Sequence, residues 1–171
     1  MSGYKTKNIS NFLKLFYRVY IPNKYFSYFR EATSSESKFV LITSTPGKGC
    51  VASLGFVEMT ATYLNLDQEW CFSPRNIMHE LFHTLGVSHY HQRSDRDKYV
   101  IIHWDNITPD HHHDYCKDRS GEKSTYGTDY DFKSFMHYYA GAGALDNSKP
   151  AISSKVKFIL YKTYLHMTLI K

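Results

Sequence analysis

The 171-residue chain has no run of eighteen apolar residues, so no segment of it reads as a membrane-spanning helix. It also has no stretch rich in Pro, Gly or Ser and no internal repeat, which leaves nothing to mark a boundary between domains. One domain over residues 1–171 is expected. A basic stripe is missing too: 21 Lys and Arg are scattered among 16 Asp and Glu, and the net charge of +5 reads as a solvated, mildly basic surface rather than a nucleic-acid interface. Met1 to Lys7 is basic, but the apolar stretch after it is broken by Lys14 and Arg18 and has no small-residue cleavage site, so no signal peptide is expected. Cysteine is scarce. Cys50, Cys71 and Cys116 are not at metal-knuckle spacing, which disfavours a structural zinc built from them. They leave open one disulfide with a spare thiol, a partial metal site or three reduced thiols.

What is present argues for a packed chain: 42% of residues are hydrophobic and 16% aromatic, with 15 Tyr and 11 Phe. Asn8 to Tyr20 places Ile9, Phe12, Phe16, Val19 and Tyr20 at helical spacing ahead of Pro22, which predicts an amphipathic helix. Lys38 to Thr43, Val51 to Phe56 and Thr62 to Leu66 are rich in β-formers and separated by turn signals such as Thr45-Pro46-Gly47; they are expected to be strands of one sheet. A second helix is bounded by Ser73 as N-cap, Pro74 at the first helical position and Gly86 as the stop. Its apolar stripe is Ile77, Met78, Leu81, Phe82 and Leu85. Tyr99 to Trp104 reads as a further strand, and Asp105 to Tyr130 as irregular with one short helix.

On the second helix His79 and His83 are four residues apart, so their side chains point within about 40° of each other and two imidazoles can share one ion. Glu80 is one step round from His79, the place from which a carboxylate reaches a water at the metal without being a ligand. It is the expected general base. Catalytic zinc takes three protein ligands, and His89 fits as the third because Gly86 tolerates the positive φ that turns the chain sharply after the helix. One histidine alone would be read as a satisfied core or surface residue; three at this spacing read as a zinc site with one Zn2+ per chain. His111-His112-His113 is different: consecutive residues on a polar loop cannot easily converge on one ion, and a solvated loop is the expectation.

The string His79-Glu80-Leu81-Phe82-His83-Thr84-Leu85-Gly86-Val87-Ser88-His89, followed by Ser134-Phe135-Met136-His137-Tyr138, resembles the astacin branch of the metzincin proteases. Arg93-Ser94-Asp95-Arg96-Asp97-Lys98-Tyr99-Val100, Trp104 and Asn106-Ile107 resemble the segment that follows the third histidine in that family. The likeness is strongest over 26–150, with 151–171 a divergent tail. The resemblance implies an α+β zincin (metzincin) fold: a twisted, mostly parallel, five-stranded sheet with two main helices in an upper half, and an irregular lower half after the third histidine. It implies a secreted zinc metalloprotease, a hydrolase whose proteolysis of protein or peptide substrates uses a zinc-activated water. Zinc would be held by His79, His83 and His89, with Glu80 as general base, Tyr138 as a switching ligand that stabilises the oxyanion, and Met136 in a tight turn beneath the metal. A disulfide between Cys50 and Cys71 is implied as well, and with it an oxidising compartment outside the cell. The partners implied are a protein or peptide substrate, no nucleic acid and no membrane span, with the chain a monomer.

The sequence departs from the family pattern at Tyr90, where astacins usually carry Glu, in lacking both cysteines of a second family disulfide, and in Phe158 to Lys171, which is unlike the family's closing helix. No propeptide with an inhibitory aspartate is found. These departures motivate an alternative, a catalytically silent zinc-binding homologue acting as a secreted binding module. A third reading, an intracellular histidine-rich metal buffer, makes Glu80 and Tyr138 coincidences. Asn8-Ile9-Ser10 and Asn106-Ile107-Thr108 are acceptor patterns for glycosylation in a secreted chain, the second weakened by the Pro109 that follows.

Overall fold

A computed structural model of the chain describes residues 18–19, 28–29, 33, 35, 39–55, 62–118, 125 and 127–156. Most of the helix expected over Asn8 to Tyr20 lies outside these residues, as does the Asn8 sequon. Its last turn is not helical: Arg18–Val19 (β1) is a short strand paired antiparallel with Tyr28–Phe29 (β2). Two compact units divide the chain, Met1–Gly86 and Val87–Lys171.

In the first unit Val40–Thr43 (β3), Cys50–Ala52 (β4) and Thr62–Leu66 (β5) form one sheet in the order β3-β5-β4. β3 and β5 fall within the β-rich runs that predict them, whereas the run over Val51 to Phe56 is strand only at Val51 and Ala52, with Ser53 to Gly55 outside it and Phe56 outside the described residues. Among them the sheet is mixed: β3 runs parallel to β5 with Val40 opposite Thr62, and β4 runs antiparallel to it with Cys50 opposite Leu66. Central β5 is the buried strand, with Leu64 and Leu66 in the core and Asn65 fully buried beside them. A buried amide needs partners, and Asn65 has them: Oδ1 accepts from Thr43 Oγ1 at 2.7 Å and from the Thr45 amide at 2.9 Å, and Nδ2 donates to the Gly49 carbonyl at 2.8 Å. This pins the loop between β3 and β4.

Helix α1 spans Pro74–Thr84, with the Asn76 amide donating to Ser73 Oγ at 3.1 Å and Pro74 in the first turn. Its buried face, Ile77 and Leu81, packs with Leu64, Leu66 and Cys71, and Val40, Ile42, Ala52 and Phe72 close the cluster. Met78, read as part of the stripe, is instead exposed. The disulfide Cys50–Cys71 ties β4 to the segment entering α1 across 21 residues, a closure worth about 3 kcal/mol against the unfolded chain. Among the described residues no helix is long and apolar enough to cross a membrane.

The second unit is built mainly from short turns. Its one described strand pair is Val100–Ile102 (β6) with Ile152–Ser154 (β7), antiparallel, so the strand predicted over Tyr99 to Trp104 is real but shorter. Single 3₁₀ turns occupy Tyr90–Gln92, Arg96–Lys98 and Trp104–Asn106, and a longer 3₁₀ helix spans Pro109–Tyr115. The core is Val100, Ile107, Tyr115, Tyr130, Ala151 and Ile152, so the start of the stretch read as a divergent tail is fully buried.

Asn106 shows why its sequon is a poor glycan acceptor. Its Nδ2 donates to the Lys149 carbonyl at 3.0 Å and, at 3.3 Å, to those of Asp146 and Pro150, while Oδ1 accepts from the Asp146 amide at 2.9 Å. The atom a glycan would occupy is the atom that joins these segments. Asn106→Ala is expected to cost about 1–2 kcal/mol in urea unfolding, and peptide mass mapping should find Asn106 unmodified. A glycan there on a chain of undiminished stability would contradict the pin.

Candidate active site and metal centre

Helix periodicity places His79 and His83 on one face of α1, with their Nε2 atoms 3.0 Å apart and their rings nearly perpendicular. Two nitrogens on a tetrahedral zinc sit roughly 3.3 Å apart when each bond is 2.0–2.1 Å, so the pair fits one ion with little adjustment. At the helix end Leu85 is the cap, and Gly86 follows with φ of 91°, a conformation that L side chains rarely adopt. Backbone also meets at this turn: the Gly55 amide donates to the His83 carbonyl at 2.7 Å. Three residues on comes His89. One ring nitrogen from each of His79, His83 and His89 lies within 4.8 Å of the others, and among the described residues this is the one group of three or more histidine, cysteine or acidic side chains so gathered.

Glu80 follows His79 and is 5% exposed. Its Oε2 is buried with no hydrogen-bond partner, and burial raises its pKa from 4.5 to about 7. A buried carboxylate without a protein donor is costly unless something positive or protic offsets it. Three imidazoles that can share a cation, beside an acid that lacks a donor, are the fit expected of a metal centre.

In the second unit the segment Asp131 to Tyr139 is a run of turns. Met136 is buried at its centre, its carbonyl accepts from the Tyr90 amide at 2.8 Å, and its own amide donates to Ser134 Oγ at 3.2 Å. His137 Nδ1 faces the Tyr138 carbonyl at 2.7 Å, so it must carry the proton; Nε2 is then the acceptor for the Tyr130 hydroxyl at 2.8 Å. Burial lowers the His137 pKa, in keeping with this neutral tautomer. Tyr138 packs its ring 4.5 Å from that of His89.

The family model for the astacin peptidases matches residues 21–163. The chain belongs to the astacin family. The match extends on both sides of the 26–150 stretch in which the likeness is read by eye. The chain is 35% identical over 130 residues to Seminal metalloprotease 1 of Drosophila melanogaster, covering 72% of this chain and 51% of that protein. It is 48% identical over 75 residues to Zinc metalloproteinase nas-9 of Caenorhabditis elegans, covering 44% of this chain and 14% of that one. Among solved structures it resembles High choriolytic enzyme 1, a hatching enzyme zinc-protease from Oryzias latipes, with a TM-score of 0.71, 30% identity and coverage of 91% of this chain and 72% of that one. The chain spans from 14% to about half the length of such curated relatives.

The disulfide follows the astacin expectation, Cys50 with Cys71, and Cys116 is a free, exposed thiol. The His111-His112-His113 triplet scatters its rings: His111 Nδ1 meets Asp114 Oδ2 at 2.8 Å, His113 Nε2 meets Asp114 Oδ1 at 3.1 Å, and His112 Nε2 donates to the Ile107 carbonyl at 3.1 Å.

Sequence reasoning missed how this astacin braces the turns around its third histidine. Arg93, 3% exposed, grips Asp95 with two parallel bonds of 2.9 Å, donates to the Tyr90 hydroxyl at 2.7 Å and reaches the carbonyls of Thr128 at 3.0 Å and Asp129 at 3.2 Å. Buried Arg96 donates to the carbonyls of His91 at 3.1 Å and Tyr115 at 2.6 Å. The usable signal was the density of Arg and Asp in Arg93-Ser94-Asp95-Arg96-Asp97, too high for a simple solvated loop.

The hydrogen bonds from Arg93 hold the Asp95 carboxyl below its ordinary value. A carboxyl with a depressed folded pKa stabilises the fold fully above its unfolded value near 3.9, and that contribution is lost as pH falls. Urea midpoints of the native chain should therefore drop more steeply below about pH 4 than those of Asp95→Asn. Parallel profiles would mean the pair contributes nothing.

Proposed function

We propose that residues 1–171 form a single peptidase domain of a secreted zinc metalloendopeptidase that cleaves protein or peptide substrates, with His79, His83 and His89 holding one zinc. The observation that carries this reading is the gathering of the three ring nitrogens in the stretch that also holds Glu80, whose buried Oε2 has no hydrogen-bond partner. Zinc in such a site supplies Lewis-acid chemistry, drawing electron density from a scissile carbonyl and acidifying water. The remaining steps fall to the chain's own residues.

Glu80 accepts the proton of the attacking water at its carboxylate and returns it to the leaving nitrogen. Its burial suits the task, because a carboxylate with a raised pKa is a stronger base than a solvated one and still accepts only one proton at a time. Tyr138 donates its phenolic hydrogen to the oxyanion that forms on the substrate. Met136 and Gly86 are structural: Met136 fills the turn that carries Tyr138, and Gly86 permits the reversal that brings His89 round. The disulfide supports secretion, since such bonds persist in oxidising compartments. A silent zinc-binding module would need neither Glu80 nor Tyr138, and a buried acid with no partner is a cost that such a module has no reason to keep.

Metal analysis of the purified chain should give one zinc per molecule, with His83→Ala losing most of it. Glu80→Gln should keep the metal and lose cleavage of denatured casein, and Tyr138→Phe should keep the metal and slow cleavage by about 10²–10³. Full zinc in His83→Ala would reject the ligand set. Undiminished cleavage by either of the other variants would strike that residue from the mechanism.

A further inference from the structure

The ring of Tyr138 is held by more than the turn that carries it. Its nearest aromatic face is His91, stacked with ring centroids 4.1 Å apart and planes 29° apart. Tyr115 meets it edge-on at 5.6 Å and 82°. These are the geometries that aromatic pairs favour. His91 is fully buried, and its fixed points all lie outside the Met136 turn. Its Nε2 donates to the Asp114 carbonyl at 3.0 Å, and its backbone carbonyl accepts from Arg96, which also holds the Tyr115 carbonyl. One buried guanidinium thus braces the backbone that carries two of the rings around Tyr138, His91 and Tyr115; the third is His89.

Simple core filling does not explain this residue. The Nδ1 of His91 is buried with no hydrogen-bond partner, a cost that an apolar ring of similar size would avoid. The Asp114 carbonyl does not depend on His91 either, because Gln92 Nε2 also donates to it at 2.9 Å. What the imidazole adds is a flat face whose plane is fixed by one bond. We propose that His91 is a positioning residue for Tyr138, a braced platform that sets the plane of the tyrosine ring and so the place of its hydroxyl.

This rests on the reading of Tyr138 as the oxyanion donor. The contact between phenol and oxyanion counts only if the hydroxyl is held within about 0.5 Å and 10–20°. Losing a platform that contributes as much as one aromatic pair should therefore lower kcat by about tenfold and leave KM in place. A ring at position 91 without the imidazole nitrogens supplies the face but not the bond that fixes its plane, so it should recover only part of the loss.

The test uses the zinc-loaded chain and the variants His91→Leu, His91→Gln, His91→Phe and Tyr138→Phe, with a peptide substrate for kcat and KM. Zinc content and the ring resonances of carbon-13-labelled tyrosine, with Tyr138 assigned from its Phe variant, are read alongside. His91→Leu should keep one zinc and an unchanged KM, lose about tenfold in kcat, and shift the Tyr138 ring signals as the stacked face is removed. His91→Phe, with the face but not the bond to Asp114, should fall between the leucine variant and the native chain in both kcat and the ring signals. In the Tyr138→Phe background His91→Leu should cost nothing more, since the hydroxyl it places is gone.

An equal loss in both backgrounds, or unmoved Tyr138 signals in the ringless variants, overturns the proposal and leaves His91 a packing residue. If the leucine variant fails to fold, the glutamine variant makes the same comparison, keeping a donor for Asp114 without a ring. Wild-type turnover by Tyr138→Phe would remove the oxyanion reading and this proposal together. A slow Tyr138→Phe beside a fully active His91→Leu would reject this proposal alone.

Discussion

Two histidines on one helix can be joined by a third from the same stretch of chain only if the backbone reverses within a few residues, and in this protein that reversal rests on Gly86 at a φ of 91°. Any side chain there would be strained by roughly 1–2 kcal/mol whatever the space around it. The turn is reinforced within the first unit, where the His83 carbonyl accepts from the Gly86 amide at 2.9 Å and from the Gly55 amide at 2.7 Å. The direction in which the chain leaves α1 is thereby set by backbone alone, before any ion contributes.

Past that turn regular secondary structure nearly ends, and the need to satisfy buried polar groups passes from ladders to side chains. A sheet or helix pairs its carbonyls internally; turns such as Tyr90–Gln92 and Arg96–Lys98 cannot. Arg93 and Arg96 meet that need, each buried and each donating to carbonyls far away in sequence. A guanidinium offers five donors in a rigid fork, so one residue can fix several strands of coil at once. This unit can thus be ordered with little regular structure, and within the aromatic cluster of His91, Tyr115 and Tyr138 the first two are held by Arg96.

This division explains what could be read from the residues. Helix α1, its Ser73 cap and its Gly86 stop were legible because they depend on spacing within a few positions. Thr62–Leu66 was legible for the same reason, as a short β-rich run bounded by turns. Sheet direction was not: β4 lies antiparallel to β5 while β3 lies parallel, and nothing within a strand records which neighbour it will take. The cysteine pairing was open on composition and came only through family likeness. His91 was passed over because it sits two residues after His89 and looks like loop; its contacts are with Tyr115 and Tyr138, which are distant in sequence.

Tyr90 is the clearest case of a departure from the family pattern that the structure accounts for locally. Its hydroxyl donates to the Asp129 carbonyl at 2.8 Å and accepts from Arg93, whose guanidinium also lies over its ring at 4.9 Å. Arg93 has already spent its fork on Asp95, so a second carboxylate at position 90 would compete for a charge that is committed. A phenol does not compete. It takes one donor, gives one hydrogen and leaves the Arg93–Asp95 pair intact, while its backbone amide still holds the Met136 carbonyl. The position therefore needs no charge from elsewhere in the chain to neutralise it, and the turn beneath Tyr138 is closed by neutral and internally paired groups.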